Sequence, residues 1–283
     1  GKSFCSGCEF WNYCTKDKPK DWIINIPRLH KTKKKILEDK NIESISKIPN
    51  DFPFTPKQTI VFDSTKNNKI FKSKKFYYDL KIYKPPVYFF DFETLACALP
   101  TIEGTRPFDT LPFQWSLHHL EIDGIVKHWE FLATENIDYR REAIENFINI
   151  VKDNDNKIVV YSQSFEKSVL KQMGVVYPEF SNDIEDIISR IVDLKLFIEN
   201  NYYHPDFQGS YSLKKVLPAL LPNEKKYSEG LVSDGEQAQE TFYHLLFEKN
   251  DEVNKKNIIS SLLEYCKKDT ESLILIYKYF EKL

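Results

Sequence analysis

The residues most able to do chemistry begin with Asp91 and Glu93, at i and i+2 in Val87-Tyr-Phe-Phe-Asp-Phe-Glu-Thr94. Four apolar or aromatic residues, Val87 to Phe90, precede the first acid, and Pro86 bounds them. Such a run suits a buried strand. Side chains at i and i+2 of a strand share one face. Two carboxylates placed there repel each other and lose hydration. A divalent cation relieves both problems, and hard oxygen ligands suit Mg²⁺ or Mn²⁺. A strand end reaching solvent would carry the same pair, so the rest of the chain must decide.

Further acids are candidates. Tyr265 and Asp269 are four residues apart in Leu263-Glu-Tyr-Cys-Lys-Lys-Asp-Thr-Glu, where Leu262, Leu263, Cys266, Leu273 and Ile274 fit helical burial. They lie one turn above each other on one face. An acid facing a buried seam needs a partner, and a metal is one. Glu166, in Tyr161-Ser-Gln-Ser-Phe-Glu, falls in the first turn of a helix, where acids also serve the helix dipole. Asp193, in Ile-Val-Asp-Leu, is a rival to it.

Cys5, Cys8 and Cys14 are spaced C-x2-C-x5-C. Thiolates this close read as iron–sulfur or zinc ligands in a reducing compartment, hence a cytoplasmic protein. The fourth ligand is open among His30, Cys97, Cys266 and a cysteine upstream of Gly1. A first residue that is not Met points to residues upstream. The five cysteines do not form an evenly paired secreted framework.

These residues need a scaffold. The chain has 283 residues, 41% hydrophobic and 14% aromatic, enough to bury a sizeable core. A net charge of −2 gives no global basic field for nucleic acid. No apolar run is long enough to span a bilayer, and no signal peptide is visible. Strands are expected at 113–120 and 125–132, around the hairpin signal Asp123-Gly124, and at 157–162. Helices are expected at 31–40, 138–153, from 164, and over 182–190, 212–220, 236–248 and 256–282. Residues 51–56 read as turn and loop. The basic and aromatic residues of Lys66–Lys84 suit an amphipathic element with a solvated face more than a nucleic-acid surface. Early strands with a hairpin, then strands alternating with helices, imply an α/β fold with a mixed sheet covered on both faces.

Together, the strand Asp-x-Glu, the strand–helix acid and the Tyr-x3-Asp of a C-terminal helix resemble the DEDDy branch of 3′–5′ exonucleases, over about 86–283. That family has the ribonuclease-H-like fold. Its second motif has Asn and Phe-Asp where this chain has Ser162-Gln-Ser-Phe165-Glu166. The chain also resembles a bacterial domain family fused downstream of RecB-like nuclease domains. Pro112-Phe-Gln-Trp-Ser-Leu-His118, Arg190–Leu194, Tyr203–Pro218 and the cysteine triplet carry that likeness.

The resemblance implies that residues 1–22 are the cysteine-cluster tail of an upstream RecB-like domain, with its [4Fe–4S] cluster incomplete in this chain. It implies a basic linker region over 23–85 and an exonuclease-like domain over 86–283. Two divalent ions would do the chemistry. Asp91 would bridge them, Glu93 and Asp269 would hold the ion bearing the attacking water, and Glu166 would support the second through water. Tyr265 would orient that water, being a weak general base at an unperturbed pKa near about 10. His118 and Lys214 are candidates to contact the phosphate. The expected substrate is single-stranded nucleic acid, DNA ahead of RNA. The alternatives are a non-catalytic module that feeds a strand to the upstream nuclease, or an assembly role with the cysteines as a clip.

Overall fold

A computed structural model describes residues 8, 10–224, 232–248 and 251–283. Its helices are α1 (Trp11–Thr15), α2 (Lys31–Asp39), α3 (Pro56–Asn67), α4 (Phe76–Leu80), α5 (Arg140–Val151), α6 (Ser164–Val176), α7 (Ser181–Arg190), α8 (Leu194–Asn201), α9 (Leu213–Leu220), α10 (Gly235–Phe247) and α11 (Glu252–Glu281). Its strands are β1 (Phe71–Lys72), β2 (Val87–Leu95), β3 (Leu111–Leu120), β4 (Val126–Leu132), β5 (Lys157–Val160), β6 (Ile191–Asp193) and β7 (Tyr202–Tyr203). No helix among the described residues is long and apolar enough to cross a membrane.

The chain divides into two units. One comprises Gly1–Tyr77 with Phe197–Pro222, the other Tyr78–Leu196 with Asn223–Leu283. The sequence division at 23 and 86 does not anticipate this. Residues 197–222 join the first unit because β7 pairs antiparallel with β1, Phe71 opposite Tyr203. The Ser73 N–H donates to the Asn201 carbonyl at 2.9 Å, and the rings of Phe76 and Phe197 meet at 5.4 Å.

The first unit has an apolar core of Ile23, Ile26, Leu37, Ile45, Ile48 and Phe62. Helix α3 was not expected from the sequence, although its start is written there. Thr55 and Gln58 form a reciprocal capping box around Pro56 at the first helical position. In the basic stretch that follows, Lys72 Nζ lies 4.7 Å over the Tyr77 ring and donates to its hydroxyl at 2.9 Å. The aromatic residue there partners a nearby lysine of the same stretch.

Gly209 has φ +73°, and a Cβ built on it would lie 1.5 Å from the Asn25 carbonyl oxygen. Both the backbone conformation and the close approach demand glycine. Gly209→Ala is expected to destabilise the protein by about 2–3 kcal/mol in denaturant unfolding. An unchanged midpoint would contradict this packing.

The second unit is built on a five-stranded sheet in the order β4-β3-β2-β5-β6. Strand β3 pairs antiparallel with both β2 and β4; β5 pairs parallel with β2, and β6 parallel with β5. The hairpin between β3 and β4 turns at Gly124, φ +88°. One sheet face is apolar: Phe90, Trp115 and Ile158 pack with Phe147 of α5, Leu170 of α6 and Ile187 of α7. The other face receives α11. That helix is capped by Asp251, whose carboxylate accepts the Asn254 N–H at 2.7 Å. Its buried stripe is Leu262, Cys266, Thr270, Leu273, Tyr277 and Phe280, at three- and four-residue spacing. Thr270 is the polar interruption in it.

Candidate metal centre

Asp91 and Glu93 belong to β2, whose apolar run places it in the middle of the sheet. In register they face Ser116 and Gln114 of β3, and the pairing shifts immediately afterwards, between Glu93 and Thr94. Asp269 comes from α11. One carboxylate oxygen from each of Asp91, Glu93 and Asp269 lies within 4.8 Å of the others. Among the described residues this is the one such group of three or more ligand-type side chains. Tyr265, one turn before Asp269, is 7% exposed. The sulfur of Cys266 lies 3.8 Å from the Asp91 carbonyl oxygen, and its thiol donates to it, seating α11 against β2.

The group is electrostatically unfavourable without a cation. Asp91 keeps some solvent exposure, yet its pKa is well above the usual carboxylate range. Loss of hydration is the largest cause, followed by the charges of Asp269, Glu93 and Glu166. Glu166, in the first turn of α6, is 2% exposed, and its Oε2 has no hydrogen-bond partner. Burial pushes its pKa to about 8, with the charge of Asp193 adding to the rise. A buried acceptor without a donor is costly. Three converging carboxylates with a fourth whose charge reaches Asp91 form an all-oxygen donor set suited to hard divalent ions. The residues present fit Mg²⁺ or Mn²⁺.

Asp193 has a different task. Its carboxylate accepts the N–H groups of Ser162 at 3.3 Å, Gln163 at 3.0 Å and Leu196 at 2.9 Å. It thereby caps α8 and pins the β5–α6 turn, where Ser162 has φ +90°. This anchor fixes the first turn of α6 and so the position of Glu166. Asp193→Ala is expected to lower the unfolding free energy by about 2 kcal/mol, measured by chemical denaturation. A loss well below about 0.5 kcal/mol would mean the turn holds without it.

His118 is not exposed towards solvent as a phosphate contact would be. It is 2% exposed, and its Nδ1 lies 2.8 Å from Thr270 Oγ1. Its ring stacks on His128 at 4.2 Å. Burial, then the neighbouring His128 and Lys267, drives its pKa down to about 3, so it is neutral near pH 7. Lys214 is an exposed residue of α9 in the first unit.

Of the cysteine triplet, Cys8 and Cys14 are exposed and free, and Cys5 lies outside the described residues. Cys266 is sequestered under Asp91 and does not serve as an exposed fourth ligand. His30 Nδ1 accepts the Thr32 N–H at the start of α2.

Gly235, first residue of α10, was not anticipated near the site. A Cβ on it would lie 3.7 Å from Glu93 Oε2. Gln114, Ser116 and Thr270 were also missed. The readable trace of Thr270 was its hydroxyl within the apolar stripe of α11.

Residues 88–212 match the model of a domain of unknown function, DUF2779. The chain is 27% identical over 224 residues to uncharacterized protein MG366 of Mycoplasma genitalium, an alignment covering 72% of this chain and 33% of that protein. It is 27% identical over 249 residues to uncharacterized protein UU173 of Ureaplasma parvum, covering 78% and 35%. Against the MG366 homolog of Mycoplasma pneumoniae it is 29% identical over 207 residues, covering 66% and 31%. The chain spans about a third of the length of these relatives. No solved structure matches it. The similarity to the domain of unknown function thus takes in Asp91, Glu93 and Glu166 and stops short of Tyr265 and Asp269.

Proposed function

We propose that the second unit is a divalent-metal-dependent nuclease of the DEDDy 3′–5′ exonuclease type, acting on single-stranded nucleic acid. The observation that carries this is the convergence of Asp91, Glu93 and Asp269, from opposite ends of the unit, with oxygens within 4.8 Å. The mixed sheet, with β2 at its centre and α11 across one face, supports a ribonuclease-H-like reading.

Asp91, Glu93 and Asp269 would hold the ions, with Glu166 contributing from the β5 side. Bound divalent ions would lower the pKa of water and offset charge on the phosphate. Asp91 is central, being the group on which the charges of the other three acids act. Tyr265, carried on the same helix as Asp269, would orient the attacking water by hydrogen bonding. A phenol is a weak general base, so orientation suits Tyr265 better than proton abstraction.

A non-catalytic strand-binding module is the second reading. Glu166, whose pKa burial raises to about 8 and whose Oε2 has no hydrogen-bond partner among the described residues, stands where the resembled family has Asp and favours it.

A time course on a labelled single strand with Mn²⁺ separates the two. Stepwise shortening from the 3′ end by the parent, absent from an Asp91→Ala, Asp269→Ala double variant, is the expected result. Binding without cleavage of either DNA or RNA would overturn the nuclease reading in favour of the module.

A further inference from the structure

We infer that Gln114, Ser116 and His118 of β3 form a polar clamp that positions Tyr265 and Asp269 of α11 against Asp91 and Glu93, an inference resting on the metal-site reading above. The three clamp residues sit at i, i+2 and i+4 of one strand. They therefore share a face. Their partners across the register are Glu93, Asp91 and Phe89. The same face is turned to α11.

Gln114 Nε2 donates to the Leu262 carbonyl at 2.7 Å. Ser116 Oγ and His118 Nδ1 each lie 2.8 Å from Thr270 Oγ1. Leu262 and Thr270 bracket Tyr265 and Asp269, so two attachment points fix the helix both along its axis and in rotation.

Counting protons shows that the Ser116–His118–Thr270 part of the network closes, while the Oε1 of Gln114 is buried with no hydrogen-bond partner among the described residues. The Thr270 hydroxyl donates to the Lys267 carbonyl at 2.9 Å. Its oxygen must then accept from the Ser116 hydroxyl and from His118 Nδ1–H. With its proton committed, Ser116 accepts from His128 Nε2–H at 3.0 Å. Both imidazoles are neutral in this arrangement, and Thr270 and Ser116 are almost fully buried.

The clamp has work to do. The carboxylates it brings together repel one another, and the apolar stripe of α11 is non-directional and resists sliding poorly. Directional bonds in a buried setting resist it better.

Thr270→Val keeps shape and removes the hydroxyl; Thr270→Ser keeps the hydroxyl. Mn²⁺ binding to the full chain by calorimetry is the principal readout, beside thermal unfolding in EDTA and steady-state cleavage. Thr270→Val is expected to bind Mn²⁺ about tenfold more weakly, as for residues that orient metal ligands. It should lower kcat while leaving KM for the strand unchanged. Thr270→Ser should bind within about twofold of the parent, because the hydroxyl is kept. Should Thr270→Val not fold, Ser116→Ala, which removes one of the two clamp bonds to Thr270 together with the bond from His128, is expected to weaken binding by about threefold.

A folded Thr270→Val or Ser116→Ala that binds Mn²⁺ as the parent does would overturn the clamp alone. So would Thr270→Ser binding as weakly as Thr270→Val. A parent that binds no Mn²⁺ would overturn the metal-site reading and the clamp with it.

Discussion

Under the proposed nuclease function, Asp91→Asn is expected to lower phosphodiester cleavage by on the order of a thousandfold, because losing a metal ligand would forfeit several kcal/mol and each 1.4 kcal/mol or so is tenfold in rate. The same substitution raises the unfolding temperature of the metal-free protein. Asp91 is strongly opposed by its surroundings, first by burial and then by Asp269, Glu93 and Glu166. Asn has the same shape and no charge to desolvate. Relief of more than about 1 kcal/mol is expected, which is about 2–4 °C in a chain of this size. The opposite signs are the signature of a site that gives up stability for function. Single-turnover cleavage with Mn²⁺ and thermal unfolding in EDTA measure the two halves. A variant that loses cleavage and stability together would assign Asp91 a structural role. One that retains more than about a tenth of the parent rate would remove it from the chemistry.

Much of the second unit could be read from its sequence because its signals are local. The apolar run before Asp91, the Asp123-Gly124 turn and the periodic stripes of α5, α7, α10 and α11 each specify an element without reference to the rest. The acids of the site were legible for the same reason: i, i+2 on a strand and i, i+4 on a helix fix a shared face. What was not legible depends on pairing between distant segments. Nothing local says that Tyr202–Tyr203 pairs with Phe71–Lys72, so the division of the chain into units was missed. Asp193 stood in sequence as a rival to Glu166. The structure gives Asp193 three backbone N–H donors and leaves an oxygen of Glu166 with none. His118 drew attention as a histidine at a strand end. Its neutrality comes from burial, then from His128 and Lys267, and its hydrogen bond to Thr270 ties it to a helix about 150 residues later, which only the register of β3 against α11 could disclose.

The stability of the metal-free protein is expected to fall as pH rises from 6.5 to 8, and Mn²⁺ is expected to reverse the fall. Burial raises the Glu166 pKa from 4.5 to about 8. The folded state therefore holds a proton that the unfolded chain has already released, and stability drops with pH between those values. Asp91, raised in the same direction, adds to the drop. His118 and His128 act with the other sign. Their folded pKa values, about 3 and about 4, lie below the ordinary 6.5, so their contribution grows with pH through 6.5 and levels off about a unit above it. The larger decline from Glu166 and Asp91 outweighs this remainder. Over that interval Glu166 alone is worth about 2 kcal/mol, or about 4–8 °C in unfolding temperature. Divalent ions bind the ionised carboxylates, so their stabilisation is largest where the metal-free protein is weakest. At a hundred times its dissociation constant, Mn²⁺ should restore about 2.7 kcal/mol at pH 8. Scanning calorimetry at pH 6.5 and 8, in EDTA and in Mn²⁺, gives the four values needed. Glu166→Gln, which cannot titrate, should flatten most of the decline in EDTA. A parent whose stability is level or rising over that interval would show that Glu166 ionises freely in the folded state. A decline that Mn²⁺ leaves untouched would show that these carboxylates are buried together for some purpose other than holding a metal.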